Sequence, residues 1–348
     1  MLLSNLDRRV LATLKQRALG RLKPGLRIAV LGNCQSLDVA YAMKLLNIVA
    51  TVEQYPIQAK AKITGKMLLS ALRTYDHVFL QDFGPEFVRG ASSDLLCSEV
   101  ANVTRYPTLL FAAYHPDSIF IHAGSKRDAF LSGPIGQHHS ALALFAYRAE
   151  LSPQAALRLY DREVFDALGY FDVWIPSRAQ LLETAKSYGL DLETEFMRWT
   201  RRGCFMYAVN HPKPHVSFDL ARRLLNKAGI PSEPADFDNY AVDDLVRDTV
   251  FPVYPAIAQH YGIAGSYVFK APESFPGGMN IGGFWDLAGF VEQSYRVYAR
   301  HKADELANER VQGWLDDAQI CAFLKEYSRE RGSLAPVLKE QRAMGGSS

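Results

Sequence analysis

This chain of 348 residues is short of cysteine, of long apolar runs and of any large excess of one charge. Its four cysteines, Cys34, Cys97, Cys204 and Cys321, show no CxxC or paired spacing. That argues against a disulfide framework or a structural zinc site, and suits reduced thiols in a cytosolic setting. No apolar stretch approaches the roughly 20 residues that a membrane helix needs. The first residues lack both the continuous apolar segment and the small-residue cleavage site of a secretory signal. A soluble, cytoplasmic protein is expected. The formal charge of +2 argues against a dedicated nucleic-acid binder, which normally carries a broad basic excess.

Several catalytic signatures are missing as well. There is no GxSxG elbow and no HExxH. The adjacent His138 and His139 cannot share a helical face, so no metal centre is expected. Asp236, Asp238, Asp243 and Asp244 lack the ligand ladder and glycine of a calcium loop. The run Gly277–Gly283 follows no clear strand and has no Lys-Ser/Thr, so it reads as a mobile lid rather than a phosphate loop.

What is present is an apolar content of 48%, ample for a real core. Charge is unevenly placed. Residues 1–23 hold six basic side chains and one acid, a net of +5, leaving −3 for the rest. Within them Leu3, Leu6, Val10 and Leu14 recur at three- and four-residue intervals, the spacing of one helical face. Such a basic amphipathic helix, residues 1–25, either packs on the body or lies peripherally on an anionic membrane or an assembly partner.

From Leu26 the pattern changes to short apolar runs alternating with helical periods. Strands are expected at 26–31, 49–52, 76–80, 108–113 and 119–121, with helices at 37–46 and 66–73. This implies an α/β domain, residues 26–135, built on a mostly parallel, doubly wound sheet. Residues 136–340 read as mainly helical. Helices are expected from Ser152-Pro153 to 168, after Ser177, and at 192–201, 217–228, 241–260, 285–302 and 315–328, followed by a frayed tail at 344–348.

Four segments carry candidate chemistry. Gly32-Asn33-Cys34-Gln35 closes the first strand and enters a helix, the place where open α/β sheets bind ligands. A helix N-terminus favours a thiolate at Cys34 and an anion beside it. Asn33 and Gln35 add amides able to donate to an oxyanion. Tyr114-His115-Pro116-Asp117 supplies a general base, His115, with Asp117 or another acceptor fixing its tautomer. Gly133 through His139-Ser140 is a glycine-bearing helix entry suited to a phosphate or sugar. Asn210-His211-Pro212-Lys213 offers His211 as a second base or ligand contact. Each segment also fits an ordinary turn. Six of the nine histidines lie between residues 115 and 215, which favours a shared site.

In order and spacing these four segments resemble the WcbI-type polysaccharide biosynthesis acetyltransferase family, over about residues 26 to 230. The resemblance implies a coenzyme A-dependent enzyme that acetylates a hydroxyl of a bacterial capsular or surface sugar, with an oxyanion-hole arrangement like that of SGNH hydrolases. By the same resemblance Cys34 and Gln35 belong to the acyl-transfer centre, and His115, Asp117, His139 and His211 line its pocket. Asn33, His139 and Ser140 are the expected coenzyme A contacts. Lys126 and Arg127, with Arg201 and Arg202, are candidates for its phosphates by charge. Cys34 either accepts the acyl group or contributes only its backbone N–H to a direct transfer. An esterase using the same site, and a non-catalytic module binding coenzyme A or a glycan, are the rival classes.

Overall fold

The computed structural model describes residues 3–57, 61–123, 130–234, 240, 242–273, 283–302 and 305–330. The chain forms two compact units that interleave in sequence. The first comprises 1–110, 179–205 and 210–245, and the second comprises 111–178, 206–209 and 246–348.

In the first unit, strands β1 (Arg27–Gly32), β2 (Thr51–Pro56), β3 (His77–Leu80) and β4 (Val103–Arg105) form an all-parallel sheet in the order β2-β1-β3-β4. The crossovers are helices α1 to α4 less the first: α1 (Asn5–Ala18) precedes β1, while α2 (Gln35–Leu46), α3 (Gly65–Leu72) and α4 (Ser93–Glu99) join successive strands. Every residue of β1 is buried, as expected of a central parallel strand covered on both faces. The α/β expectation is met, and helices dominate the C-terminal half. The order places a topological switch point at β1, because the chain leaves it for β2 on one side and returns to β3 on the other. Helices Glu193–Arg201 and Pro214–Lys227 belong to this unit, and the latter packs on α2.

The basic head is α1, and its apolar face is taken. Leu6 and Val10 are buried in a core cluster with Leu68, Leu72 and Val88. Ser4 and Asp7 make a capping box: Asp7 N–H donates to Ser4 Oγ at 3.1 Å and Ser4 N–H to Asp7 Oδ2 at 2.9 Å. The other Asp7 oxygen accepts from Lys62 and Ile63 N–H at 2.7 and 2.9 Å. Farther along, Thr13 Oγ1 and Tyr55 OH share a 2.7 Å hydrogen bond, and Tyr55 OH pairs with Tyr75 OH at 2.7 Å.

In the second unit, helix Ala141–Arg148 is buried along most of its length and is surrounded by helices Pro153–Leu157, Leu287–Tyr298 and Glu309–Asp316. Two-stranded pieces pair Ser118–Ile119 with His139–Ser140 and His122–Ala123 with Leu306–Ala307. Aromatic rings fill the interior. Phe269 stacks on Phe290 with centroids 3.9 Å apart.

Some elements differ from expectation. Residues 108–113 are not a strand; Pro107 cannot donate to a ladder, and Leu109 bonds to a glutamine side chain instead. The expected strand 119–121 shrinks to the Ser118–Ile119 pair. The helix from Pro153 to 168 is two, Pro153–Leu157 and Arg162–Ala167, the second capped by Asp161. Between 242 and 261 only a short turn, Leu245–Arg247, and the helix Pro255–Tyr261 form, since Pro252 and Pro255 forbid a continuous helix. Asp317 splits the last helix into Glu309–Asp316 and Ala318–Glu330. Ser177 lies inside the helix Trp174–Ser187 instead of before it. Asp236, Asp238, residues 277–282, the tail 344–348, and the candidates Lys126 and Arg127 lie outside the described residues.

Candidate functional site

At the carboxyl end of β1 the chain turns into α2 through Gly32, Asn33 and Cys34. Gly32 leaves room for Gln81: a Cβ there would sit 2.1 Å from Gln81 Oε1, so a side chain would push that glutamine off the turn. Gln81, just after β3, accepts from Asn33 N–H at 2.9 Å. The two strand ends flanking the switch point are thereby tied together.

Asn33 is the hinge of the turn. Its Oδ1 accepts from Gln35 N–H at 3.0 Å, and its carbonyl accepts from Ser36 N–H at 3.1 Å and Ser36 Oγ at 2.7 Å. Two of the α2 N-terminal amides are therefore occupied by Asn33 itself. Its Nδ2 donates to Thr108 Oγ1 at 3.0 Å. A carboxamide nitrogen carries two hydrogens, so one N–H of the half-buried Asn33 has no acceptor among the described residues.

Gln35 is different. Its side chain is buried, with Nε2 donating to the carbonyls of Leu109 and Asn210 at 2.8 and 2.7 Å, and Oε1 accepting from Leu109 N–H at 3.0 Å. Both donors are in use, so Gln35 has none for an oxyanion, contrary to expectation. It pins segments 106–110 and 210–213 to the start of α2. Cys34 is the half-buried N-cap of α2, in helical conformation (φ −55°, ψ −35°), and its side chain makes no capping hydrogen bond.

The carbonyl that Gln35 holds belongs to Asn210, the residue before His211. His211 is buried in the short strand His211–Pro212, and Lys213 N–H donates to Phe205 O at 2.9 Å beyond it. Asn210 Oδ1 is buried with no hydrogen-bond partner among the described residues. The sequence offers the Asn-His-Pro-Lys segment for its histidine and gives no sign of its asparagine, whose orphaned oxygen is a structural signal that no spacing carries. The first unit thus brings together Asn33, Cys34, Gln35, Asn210 and the backbone leading into His211. Arg201 and Arg202 are exposed at the end of helix Glu193–Arg201, where cations complement the helix dipole.

The remaining candidates lie in the second unit, and most are bound into its interior. Asp117 is fully buried: Oδ1 accepts from Tyr170 OH at 2.8 Å and Leu142 N–H at 3.0 Å, and Oδ2 from Tyr254 OH at 2.7 Å. Burial raises its pKa despite these hydrogen bonds. Its oxygens serve the tyrosines and the helix start, and not the imidazole of His115. His115 is buried in a tight turn, its ring edge-on to Phe251 with centroids 6.0 Å apart.

His139 is fully buried, with Nε2 against Leu131 O at 3.0 Å and Nδ1 against Tyr298 OH at 3.2 Å. A carbonyl only accepts, so Nε2 carries the proton and Nδ1 accepts from the tyrosine. Burial pushes the His139 pKa down to about 4. Ser140 caps helix Ala141–Arg148 through Ala143 N–H at 3.0 Å and shares a 2.6 Å bond with Tyr160 OH. The polar groups of His139 and Ser140, expected as coenzyme A contacts, are engaged within the fold.

The model of the WcbI family, described as polysaccharide biosynthesis enzyme WcbI, matches residues 27–233. No curated protein and no solved structure matches the chain. The match spans more than half of the chain, and the protein belongs to the WcbI family of polysaccharide biosynthesis enzymes.

Proposed function

We propose that this WcbI-family enzyme is a coenzyme A-dependent O-acyltransferase that moves an acyl group, acetyl in the simplest case, onto a hydroxyl of a bacterial surface or capsular polysaccharide. The observation that carries the reading is the position of Cys34. It stands at the carboxyl end of β1, at the switch point of a parallel sheet and at the entry to α2, where such sheets bind ligands.

The proposed chemistry runs in two balanced steps. The Cys34 thiolate attacks the thioester carbonyl, the carbon–sulfur bond to coenzyme A breaks, and the departing thiolate takes up a proton. A sugar hydroxyl then attacks the Cys34 thioester and gives its proton to a base, and Cys34 leaves as thiolate. Exchange between two thioesters is nearly isoenergetic, so the first step needs activation more than driving force. His211 is the proposed base, because Gln35 ties its segment to the Cys34 turn. The spare Asn33 N–H is the proposed oxyanion donor, a contribution of about 10²–10³ in rate. General base catalysis contributes about 10²–10⁴.

Contact with an anionic surface is proposed for the outer face of α1, where Arg8, Leu11, Lys15 and Leu19 are exposed; its inner face is packed. Among the described residues no helix is long and apolar enough to cross a membrane.

Release of coenzyme A thiol from acetyl-CoA, followed with and without oligosaccharide acceptors, tests the reading. Acceptor-dependent release that falls at least about 100-fold in His211→Asn supports it. Release that depends on water alone would make the enzyme an esterase, and no release with any acceptor would end the transferase reading.

A further inference from the structure

The second unit carries a cleft of about 540 Å³ between the ends of helices Ala141–Arg148 and Leu287–Tyr298, lined by Tyr147, Arg148, Glu150, Pro153, Tyr295 and His301 among others. None of these residues was a site candidate in the sequence. Its volume falls in the range of small-molecule sites.

Three features make it a built site. First, two aromatic rings form a fixed corner. Tyr147 and Tyr295 meet at 86° with centroids 5.2 Å apart, and the Tyr295 hydroxyl donates to Leu151 O at 3.0 Å, which holds its ring in place. Second, Arg148 and Glu150 flank this corner with opposite charges, yet neither side chain has a hydrogen-bond or ion-pair partner among the described residues. Third, Glu150 has φ +58°. It occupies the left-handed position after the helix, with Leu151 N–H closing back to Ala146 O at 2.9 Å. Glycine is the usual residue there, and a side chain in that conformation is strained. The Glu150 carboxylate is thus carried at a backbone position that glycine fills more easily.

We propose that this cleft binds one pyranose unit of a polysaccharide, as a docking subsite for the acceptor chain. A hydroxyl both donates and accepts, so neighbouring hydroxyls on one ring satisfy Glu150 and Arg148 together, whereas a phosphate or a cation satisfies one and is repelled by the other. The apolar C–H face of a sugar packs against the tyrosine corner, whose ring faces are electron-rich. His301, held by Glu305 Oε2 at 3.3 Å, adds a further polar edge. The inference rests on the reading of the acceptor as a polysaccharide, but not on the role of Cys34.

Saturation-transfer NMR with methyl α-glycosides of glucose, galactose and mannose, and with N-acetylglucosamine, tests it. The wild-type chain binds at least one probe through its ring protons. Arg148→Gln and Glu150→Gly each weaken that binding about tenfold, the loss of one hydrogen bond to a charged group. Glu150→Gly does so while raising the melting temperature, so unfolding cannot explain the loss. Tenfold-weaker binding with intact binding in Cys34→Ala supports the subsite even if acyl transfer is never seen. Absence of binding to every probe, binding unchanged in both cleft variants, or preference for alanine or adenosine monophosphate over all the sugars overturns it, whatever the outcome at Cys34.

Discussion

Two carboxamides that stand two residues apart in the sequence carry opposite duties. Asn33 retains a donor that no described residue takes up, whereas Gln35 has both donors and its acceptor engaged. Their variants should therefore separate. Gln35→Leu leaves Leu109 N–H and two carbonyls unsatisfied and should cost about 3 kcal/mol or more in urea unfolding. Asn33→Asp keeps the acceptor for Gln35 N–H and removes the donor, so turnover should fall about 10²–10³ with little change in the unfolding midpoint. Equal stability losses in the two would contradict the division. A third residue adds a pH signature. Burial, followed by the nearby Asp243 and Asp244, pushes Asp38, one turn into α2, up to about 8. Its folded pKa is raised, so the folded state holds a proton that the unfolded chain has lost, and stability declines as pH rises from the ordinary carboxylate range to about 8. Asp38→Asn should flatten that decline and melt a few degrees higher than wild type at pH 8.5, read by calorimetry.

At the scale of elements, the helix most suggestive of an external role is also a structural one. α1 is fastened through Asp7, whose carboxylate serves a capping box and two amides of the 62–63 segment. Asp7→Ala should lower stability by about 2 kcal/mol, and deleting residues 1–23 should expose the core around Leu68 and Leu72, visible as binding of a hydrophobic dye. Unchanged stability in both would return α1 to the status of a free arm. The helix entry at His139 gives an acid-limb test. Its pKa is depressed to about 4, so stability is complete above about 6.5, the value in the unfolded chain, and is lost as pH falls toward 4. His139→Gln should show a shallower loss of melting temperature between pH 6.5 and 4.5. Legibility differed by element. The strands and crossovers around β1 were readable because a strand buried on both faces leaves an unbroken apolar run. Segment 106–110 was not, because its polar backbone is satisfied by Gln35 and Gln81, partners more than 20 residues away in sequence. Asp117, His139 and Ser140 misled for a related reason: residues with catalytic chemistry also satisfy buried polar groups, and only the count of their partners separates the two uses.

At the scale of the whole molecule, chain order concealed how the parts group. Residues 179–205 and 210–245 return to the first unit, bringing the His211 segment to the turn that holds Cys34. Periodicity reports helices but not the neighbours they choose, so the candidate site was legible as four motifs and not as one constellation. The overall charge of +2 likewise averages a basic outer face on α1 with a mildly acidic remainder. The central claim is that Cys34 is the residue that reacts. Intact-mass measurement of the whole chain mixed with acetyl-CoA, before any acceptor is added, tests this most directly. The account predicts a mass increase of one acetyl group in the wild type, absent in Cys34→Ala and discharged on adding acceptor. An unmodified wild type that still transfers acetyl, or an adduct that persists in Cys34→Ala, would contradict it.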